Sequence, residues 1–546
     1  MRRTPVARWT IGIVLFGAAL VCPFAAATNG DKLRDYKQKA EAFEKQGEWD
    51  KACDYYEAIL RIQRDLPDIK QRYVHCVRRL WQTRRHNDDS YHKEVLSIEF
   101  GQAVHLHNVV RDLLLDRSLE RKKLTPARLF KKGLEELDYA LSDPHFCRQH
   151  IPEDCLPRVA EFRAILQKTW GEFTPASRKK AVEQISEIAL AAESFLRLSP
   201  TVVVMEFTCG ACYALDEYTV YLTPTQLREL CSSLRGELIG IGVTLAAQDG
   251  KVVIQQVELG SPAHKASLMV NDQIVRIDKK AVGMMAPEAV MALLEGPPGS
   301  LVNLEVLSPV MGMRSFPLRR EAISLPSVFD VPILDSPVGY IKVTAFQENT
   351  PKEVDNAIVR LTETGMKALI LDLRGNGGGL FESAVDVAKR FLSSGVIATK
   401  QHLDDKSNII TTLCEAKNPA ALAIPLVVLI DNETASSAEV LAGALKENNR
   451  ATVVGQQTYG KGCTQYLLKL PDLKGNLPAG GMRLTVAKIF SPKGLPYTGR
   501  GVQPDIAVER GASDNPSMMT PGGLVLDGQV SAGILEAQRL LAMGPR

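Results

Sequence analysis

The stretch ALILDLRGNGGGLFESAVDVA (residues 368–388) decides how this chain is built. An apolar run ends at Asp372, a glycine loop spans Gly375–Gly379, and a helical pattern follows. Strand, glycine turn and helix in that order make the repeating unit of an α/β fold. Glycines let backbone N–H groups turn toward a ligand, and the helix end adds partial positive charge. The loop therefore reads as a cradle for an anion or oxyanion, with a merely tight turn as the alternative. A dinucleotide fingerprint would need glycine at 380, where Leu380 stands.

Working outward, PLVVLIDNETASSAEVLAGAL (residues 425–445) repeats the plan. A buried strand runs to Ile430 and a helix begins near Ser436. A hydroxyl at a first helical turn is ordinarily a cap, so Thr434 and Ser436 have a capping reading. The sharper reading is a nucleophile presented on a strand-to-helix turn. A serine nucleophile needs a base. The α/β region holds one histidine, His402, on the polar segment TKQHLDDKS.

The third stretch is GQQTYGKGCTQ (residues 455–465). It reads G-x-x-x-x-G-K-G, close to a phosphate-binding loop. That loop needs Ser or Thr after the lysine and a helix beyond. Here Gly462 follows Lys461, and CTQYLLKL alternates like a strand, with Thr464, Tyr466, Leu468 and Leu470 on one side. Nucleotide binding is therefore disfavoured. Lys461 has no acidic neighbour nearby in sequence, and a lysine stripped of water loses its proton more readily. It suits a desolvated base, and a Ser–Lys pair needs no histidine.

The whole chain has 546 residues, 45% hydrophobic and 24% charged, with net charge +3. That length allows three or four domains, and the charge gives no case for nucleic acid. MRRTPVARW is basic, TIGIVLFGAALVC apolar, and PFAAATNG small-residue-rich, the layout of a signal peptide cut after Ala27. An uncleaved anchor is the alternative. Export to a periplasm or cell envelope is expected. CGAC (Cys209–Cys212) lacks a thioredoxin-like setting, so its cysteines read as structural.

Residues 31–200 are helical in pattern. Tyr36, Ala40, Phe43, Gly47, Trp49, Ala52, Tyr56 and Ile59 approach tetratricopeptide spacing, with a plain helical hairpin as the alternative. His105 and His107 read as surface or packing residues. The division expected is a leader at 1–27, a TPR-like hairpin at 31–85 and a helical region at 86–200. A core follows at 201–235 and 320–510, with a mostly-β insert at 236–312 and a linker with a C-terminal helix at 511–546.

These motifs together resemble the C-terminal processing peptidases, or tail-specific proteases, over roughly residues 201–510. LDEYTVYLTPTQLREL is similar to the family segment before its PDZ domain, and GIGV with GSPAHKASLMVNDQIVRID to the PDZ domain itself. LILDLRGNGGG, NETASSAE, TYGKGCTQ and GRGVQPDI follow in family order.

The resemblance implies an α/β core of crotonase/ClpP-like type, an inserted PDZ domain and serine endopeptidase activity without metal, nucleotide or other cofactor. It implies Ser436 as nucleophile, Lys461 as base and Gln465 as the residue orienting the lysine. Backbone amides of Ser437 and of Gly377 or Gly378 would form the oxyanion hole. Gly240–Ile241–Gly242–Val243 would receive a free C-terminal carboxylate, with Val290, Met291 and Leu294 as candidates for an apolar tail pocket. The expected partners are protein substrates with unstructured apolar C-termini. The N-terminal helices would serve an adaptor or self-association. A catalytically inactive PDZ and helical-repeat scaffold is the alternative. Cys463 stands where the family often has serine, and Ser437 where it often has alanine. The cysteine makes redox sensitivity an expectation.

Overall fold

The computed structural model describes residues 29–509, apart from 249, 284, 286, 334–335, 405 and 475–476, and residues 526–544. The leader and most of the linker lie outside the described residues. Where a hairpin is expected over 31–85, three helices stand: α1 (Asn29–Gln46), α2 (Trp49–Ile62) and α3 (Pro67–His86). Pro67 at the first helical position starts the third, since proline fits where no N–H is needed. Ala40, Ala52, Cys53, Tyr56, Ile59, Ile69, Tyr73 and Cys76 form their shared core.

Further helices run to residue 212, ending in α4 (Pro200–Cys212). Every residue of α4 from Thr201 to Cys212 is buried, which its nearly all-apolar sequence requires. Cys209 and Cys212 are free thiols on this helix, so the C-x-x-C serves packing. His105 is exposed and His107 is buried against Thr208, as a surface and a packing residue respectively. Strand β1 (Val220–Leu222) then leads into the core.

The insert contains β2 (Glu237–Gly240), β3 (Val243–Gln248), β4 (Lys251–Val257), β5 (Gln273–Ile277), α5 (Pro287–Leu294), β6 (Leu301–Ser308), β7 (Gly312–Arg319) and β8 (Glu321–Ser324). Its main sheet runs β3-β4-β5-β6-β7, and β2 pairs separately with β8. Among the described residues β3 is paired on one side only, and α5 packs beside it.

The core sheet has the order β9 (Val328–Pro332), β10 (Val338–Val343), β11 (Ala368–Asp372), β14 (Leu426–Ile430), β15 (Thr452–Gly455) and β18 (Ile506–Ala507). All its pairings are parallel except β9 with β10. Strand alternation splits β11 and β14 between two apolar layers. Leu369, Leu371, Val428 and Ile430 face helices α6 (Thr350–Glu363), α7 (Phe381–Phe391) and α8 (Ser437–Glu447). Ile370, Val427 and Leu429 face α9 (Gly528–Met543), which contributes Val530 and Ala537. The C-terminal helix, read from sequence as an appendage to a linker, is thus the second cover of a sheet buried on both faces. A second, antiparallel sheet is built from β1, β12 (Ser394–Leu403), β13 (Ile409–Lys417), β16 (Cys463–Lys469) and β17 (Gly481–Phe490). The strand expected after Lys461 is β16. Among the described residues no helix is long and apolar enough to cross a membrane.

Candidate active site

Strands β11, β14 and β15 are neighbours and parallel, so their C-terminal ends open on one edge of the sheet. In open parallel sheets ligands bind beyond the strands' carboxyl ends. The three loops leaving that edge are the glycine loop, the Ser436 turn and the loop to Lys461. Sequence order separates them by tens of residues; the sheet sets them side by side.

Buried polar groups tie the loops together. Asp431 Oδ1 accepts from the N–H groups of Gly375 (3.1 Å), Glu433 (3.0 Å) and Thr434 (2.9 Å). Thr434 Oγ1 meets the Leu373 carbonyl at 3.0 Å, and Ala435 N–H donates to the Asn376 carbonyl at 2.9 Å. Thr434 is therefore a brace between two loops rather than a helix cap. Asp372, at the end of β11, accepts from Tyr340 Oη (2.6 Å) and pairs with Arg374 (2.7 Å), whose other arm holds Asp527. Lys342, 3.9 Å away, together with Arg374 and the Tyr340 hydrogen bond, keeps the Asp372 carboxylate down at about 2 despite burial.

Ser436 immediately precedes α8 with φ 56° and ψ −119°, a backbone disfavoured for any residue with a Cβ. Its side chain is half-buried. Gly378 has φ 106°, and a Cβ there would come within 2.8 Å of Ser436 Cβ and 3.1 Å of Ser437 N. Only glycine allows that approach.

The carboxylate of Glu439 binds the serine turn to the lysine loop. It accepts from Ser436 N–H (2.7 Å), Gly460 N–H (2.7 Å), Lys461 N–H (2.8 Å) and Thr458 Oγ1 (2.5 Å). Fully buried, it is pushed up to about 7 by desolvation, with the hydrogen bonds opposing. Sequence reasoning assigned it no role. The available signal was spacing: a Glu three residues after a serine at a helix start can reach back to that serine's N–H.

Lys461 is buried, with Nζ 4.9 Å from the centre of the Tyr218 ring. Burial lowers its ammonium to about 8, with Cys463, Asp216 and Glu439 resisting and Arg483 assisting. Gln465 is on the adjoining strand, but its amide donates to Cys463 Sγ (3.2 Å) and Thr485 Oγ1 (3.4 Å). No hydrogen bond joins it to Lys461 among the described residues. Burial pushes the Cys463 thiol up to about 11, so at neutral pH it is a protonated, weakly nucleophilic group. Ser437 Oγ donates to the Gly379 carbonyl at 2.9 Å.

Of the glycine amides, Gly378 N–H is spent on Asn376 Oδ1 at 2.8 Å. Gly377, half-exposed, and Ser437 keep N–H groups without an acceptor among the described residues. His402 is far from this chemistry in role: its ring meets Thr412 on the β12–β13 hairpin.

In the insert, the carbonyls of Ile241 and Gly242 accept from Ala263 (2.8 Å) and Glu258 (2.9 Å). The N–H groups of Ile241 and Gly242 have no acceptor among the described residues. Gly242 has φ 82°, and a Cβ there would lie 2.2 Å from Ser261 Cβ. Gly240 and Val243 flank the turn, both buried. Val290 and Leu294 belong to the hydrophobic core, whereas Met291 is partly buried against it.

Known proteins are similar to this chain in sequence. Residues 337–508 match peptidase family S41, and residues 239–308 match the PDZ domain. The carboxyl-terminal-processing protease of Synechocystis sp. is 36% identical over 303 residues, 54% of this chain and 69% of that protein. A carboxy-terminal processing protease of Bacillus subtilis is 32% identical over 302 residues, 55% of this chain and 62% of that one. The solved photosystem II D1 C-terminal processing protease shares 26% identity, covering 70% of this chain and 93% of that chain, with a TM-score of 0.34. This chain belongs to the carboxyl-terminal-processing proteases of peptidase family S41, serine peptidases, and carries a PDZ domain.

Proposed function

We propose that the protein is an exported serine endopeptidase that uses Ser436 and Lys461 as a dyad and selects substrates by an apolar C-terminal tail. The observation that carries this is the joint hold of Glu439 on the backbone N–H of both residues, at 2.7 and 2.8 Å. A nucleophile and a base on separate loops need such a common anchor to act together.

Neutral Lys461 takes the proton as Ser436 Oγ attacks the scissile carbonyl carbon. The oxyanion forms beside the open N–H groups of Ser437 and Gly377, donors of the type that stabilises such charge. Gly378 is the weaker candidate, because its N–H already has an acceptor. The C–N bond then breaks, and Lys461 returns the proton to the leaving amine. Water, deprotonated by Lys461, releases the acyl group from Ser436. Gln465 acts at one remove, by packing with Cys463 rather than holding Nζ.

A free carboxylate fits the open N–H groups of Ile241 and Gly242, and the unpaired edge of β3 can accept the tail as an added strand. Met291 on α5 is the candidate for side-chain selection, with Val290 and Leu294 as the core beneath. The signal-peptide pattern supports export.

The test compares the protein from residue 28 with Ser436→Ala and Lys461→Ala, on an unstructured protein ending in apolar or in charged residues. Cleavage of the apolar-tailed protein by the parent alone is expected. Tail binding without cleavage by any of them would instead favour the inactive scaffold.

A further inference from the structure

The N-terminal helices lie against the catalytic loops of their own chain. Arg61, in the last turn of α2, pairs with Glu433 at 3.0 Å and with Glu57 at 3.3 Å. Its side chain is only 13% exposed and that of Glu57 only 3%. Glu433 stands three residues before Ser436. Just beyond the helix, Arg64 donates to the backbone carbonyls of Thr458 and, at 3.4 Å, Gln457. Thr458 stands three residues before Lys461, and its hydroxyl is bonded to Glu439. One helix end thus touches both loops. Beside it, Tyr73, Val77 and Trp81 of α3 meet Tyr218, Tyr459 and Arg483 around a water-sized void of about 20 Å³. The Tyr218 ring is the one that lies over Lys461 Nζ.

A buried guanidinium is costly unless paired, and breaking such a pair leaves a carboxylate stranded. Arg61 is therefore a fixed point, and Arg64, half-buried, is anchored by the carbonyls of Thr458 and Gln457. A helix serving only an adaptor would offer these cations to solvent. Here Glu433 and the carbonyls of Thr458 and Gln457, all on the chain's own loops, engage them.

We propose that the end of α2 is a built-in clamp, with Arg61 and Arg64 as positioning residues that hold the Ser436 and Lys461 loops in register. This rests on the dyad reading above. The clamp acts through the loops and touches no substrate, so it governs turnover more than binding.

The experiment uses the full mature chain with Arg61→Ala, Arg64→Ala, the double variant and Arg64→Lys, beside Ser436→Ala. The substrate is the apolar-tailed unstructured protein, and a tail peptide reports PDZ binding separately. The double variant should lose about tenfold or more in kcat with KM within about twofold, and with tail binding unchanged. Arg64→Lys should recover part of the loss seen in Arg64→Ala, since one ammonium replaces the fork imperfectly. Unchanged kcat overturns the clamp, as does a loss confined to KM. A rise in kcat overturns it in favour of a lid. Should the double variant not fold, judged by lost tail binding and melting, Arg64→Lys decides alone. A fall in kcat of about threefold or more supports the clamp and parity with the parent overturns it. Cleavage that survives Ser436→Ala overturns the dyad, and the clamp with it; a dead Ser436→Ala beside a fully active double variant overturns the clamp alone.

Discussion

The catalytic edge and the PDZ loop solve one problem by different means. Both leave backbone N–H groups without an acceptor among the described residues, Gly377 and Ser437 in one and Ile241 and Gly242 in the other, which the proposed function assigns to negative charge. The catalytic loops are braced by buried carboxylates, Asp431 and Glu439, each accepting several N–H groups. The PDZ loop is braced by main-chain bonds and by Ser261 packed against Gly242. Charge holds geometry more tightly than neutral contacts do, because charge-assisted hydrogen bonds are the stronger kind. It also makes the geometry depend on pH. Chemistry needs positions held to fractions of an ångström, whereas strand addition tolerates slack.

That contrast can be broken most severely at the dyad. Lys461→Ala should cost on the order of 10³-fold or more in kcat, measured by tail-substrate cleavage, while tail-peptide affinity stays put. A loss of affinity of similar size would show the two regions to be one unit.

Glu439→Gln comes next. An amide cannot match a carboxylate accepting four hydrogen bonds, so kcat should fall about 10²-fold, or about 2.7 kcal/mol. Near-parental kcat would mean that shape, not charge, holds the loops.

The pH profile separates the regions without mutation. Lys461 must be neutral to act as base, and burial puts it at about 8. Glu439 must be ionised to accept its N–H groups, and sits at about 7. Both conditions improve as pH rises. kcat/KM should therefore climb through the neutral range and level off in alkali, with a slope above one proton below pH ~7. Tail affinity should change far less. A profile falling from pH 7 to 9 would contradict the lysine base.

On the PDZ side, Gly242→Val forces a Cβ toward Ser261 at a positive φ. KM should rise about tenfold with kcat within about twofold, since in the proposed function the loop takes the tail and does no chemistry. The smallest effect belongs to Gln465→Ala, expected within about threefold in kcat because its amide meets Cys463 and Thr485. A loss rivalling Lys461→Ala would restore the direct orienting role.

Legibility followed range along the chain. The strand–glycine–helix unit at 368–388 and the serine turn at 425–445 were readable because hydrophobic period and turn chemistry are local. The strand after Lys461 was readable for the same reason. The roles of Val290 and Leu294 were not, since one apolar residue on a short helix can face either a core or a groove. The C-terminal helix looked peripheral because nothing local tells that Val530 and Ala537 will cover Ile370, Val427 and Leu429.

Residue types and spacing alone thus carried the family and singled out Ser436 and Lys461 as the proposed pair. Those are written as short motifs whose chemistry leaves few substitutes. The folded chain alone decided what holds the pair together. Glu439 reaches the lysine loop only because β14 and β15 lie side by side, and Arg61 meets Glu433, 372 residues away, only through packing of α2 on the sheet edge. Buried charges find partners in space, and no sequence window contains both ends of such a bond.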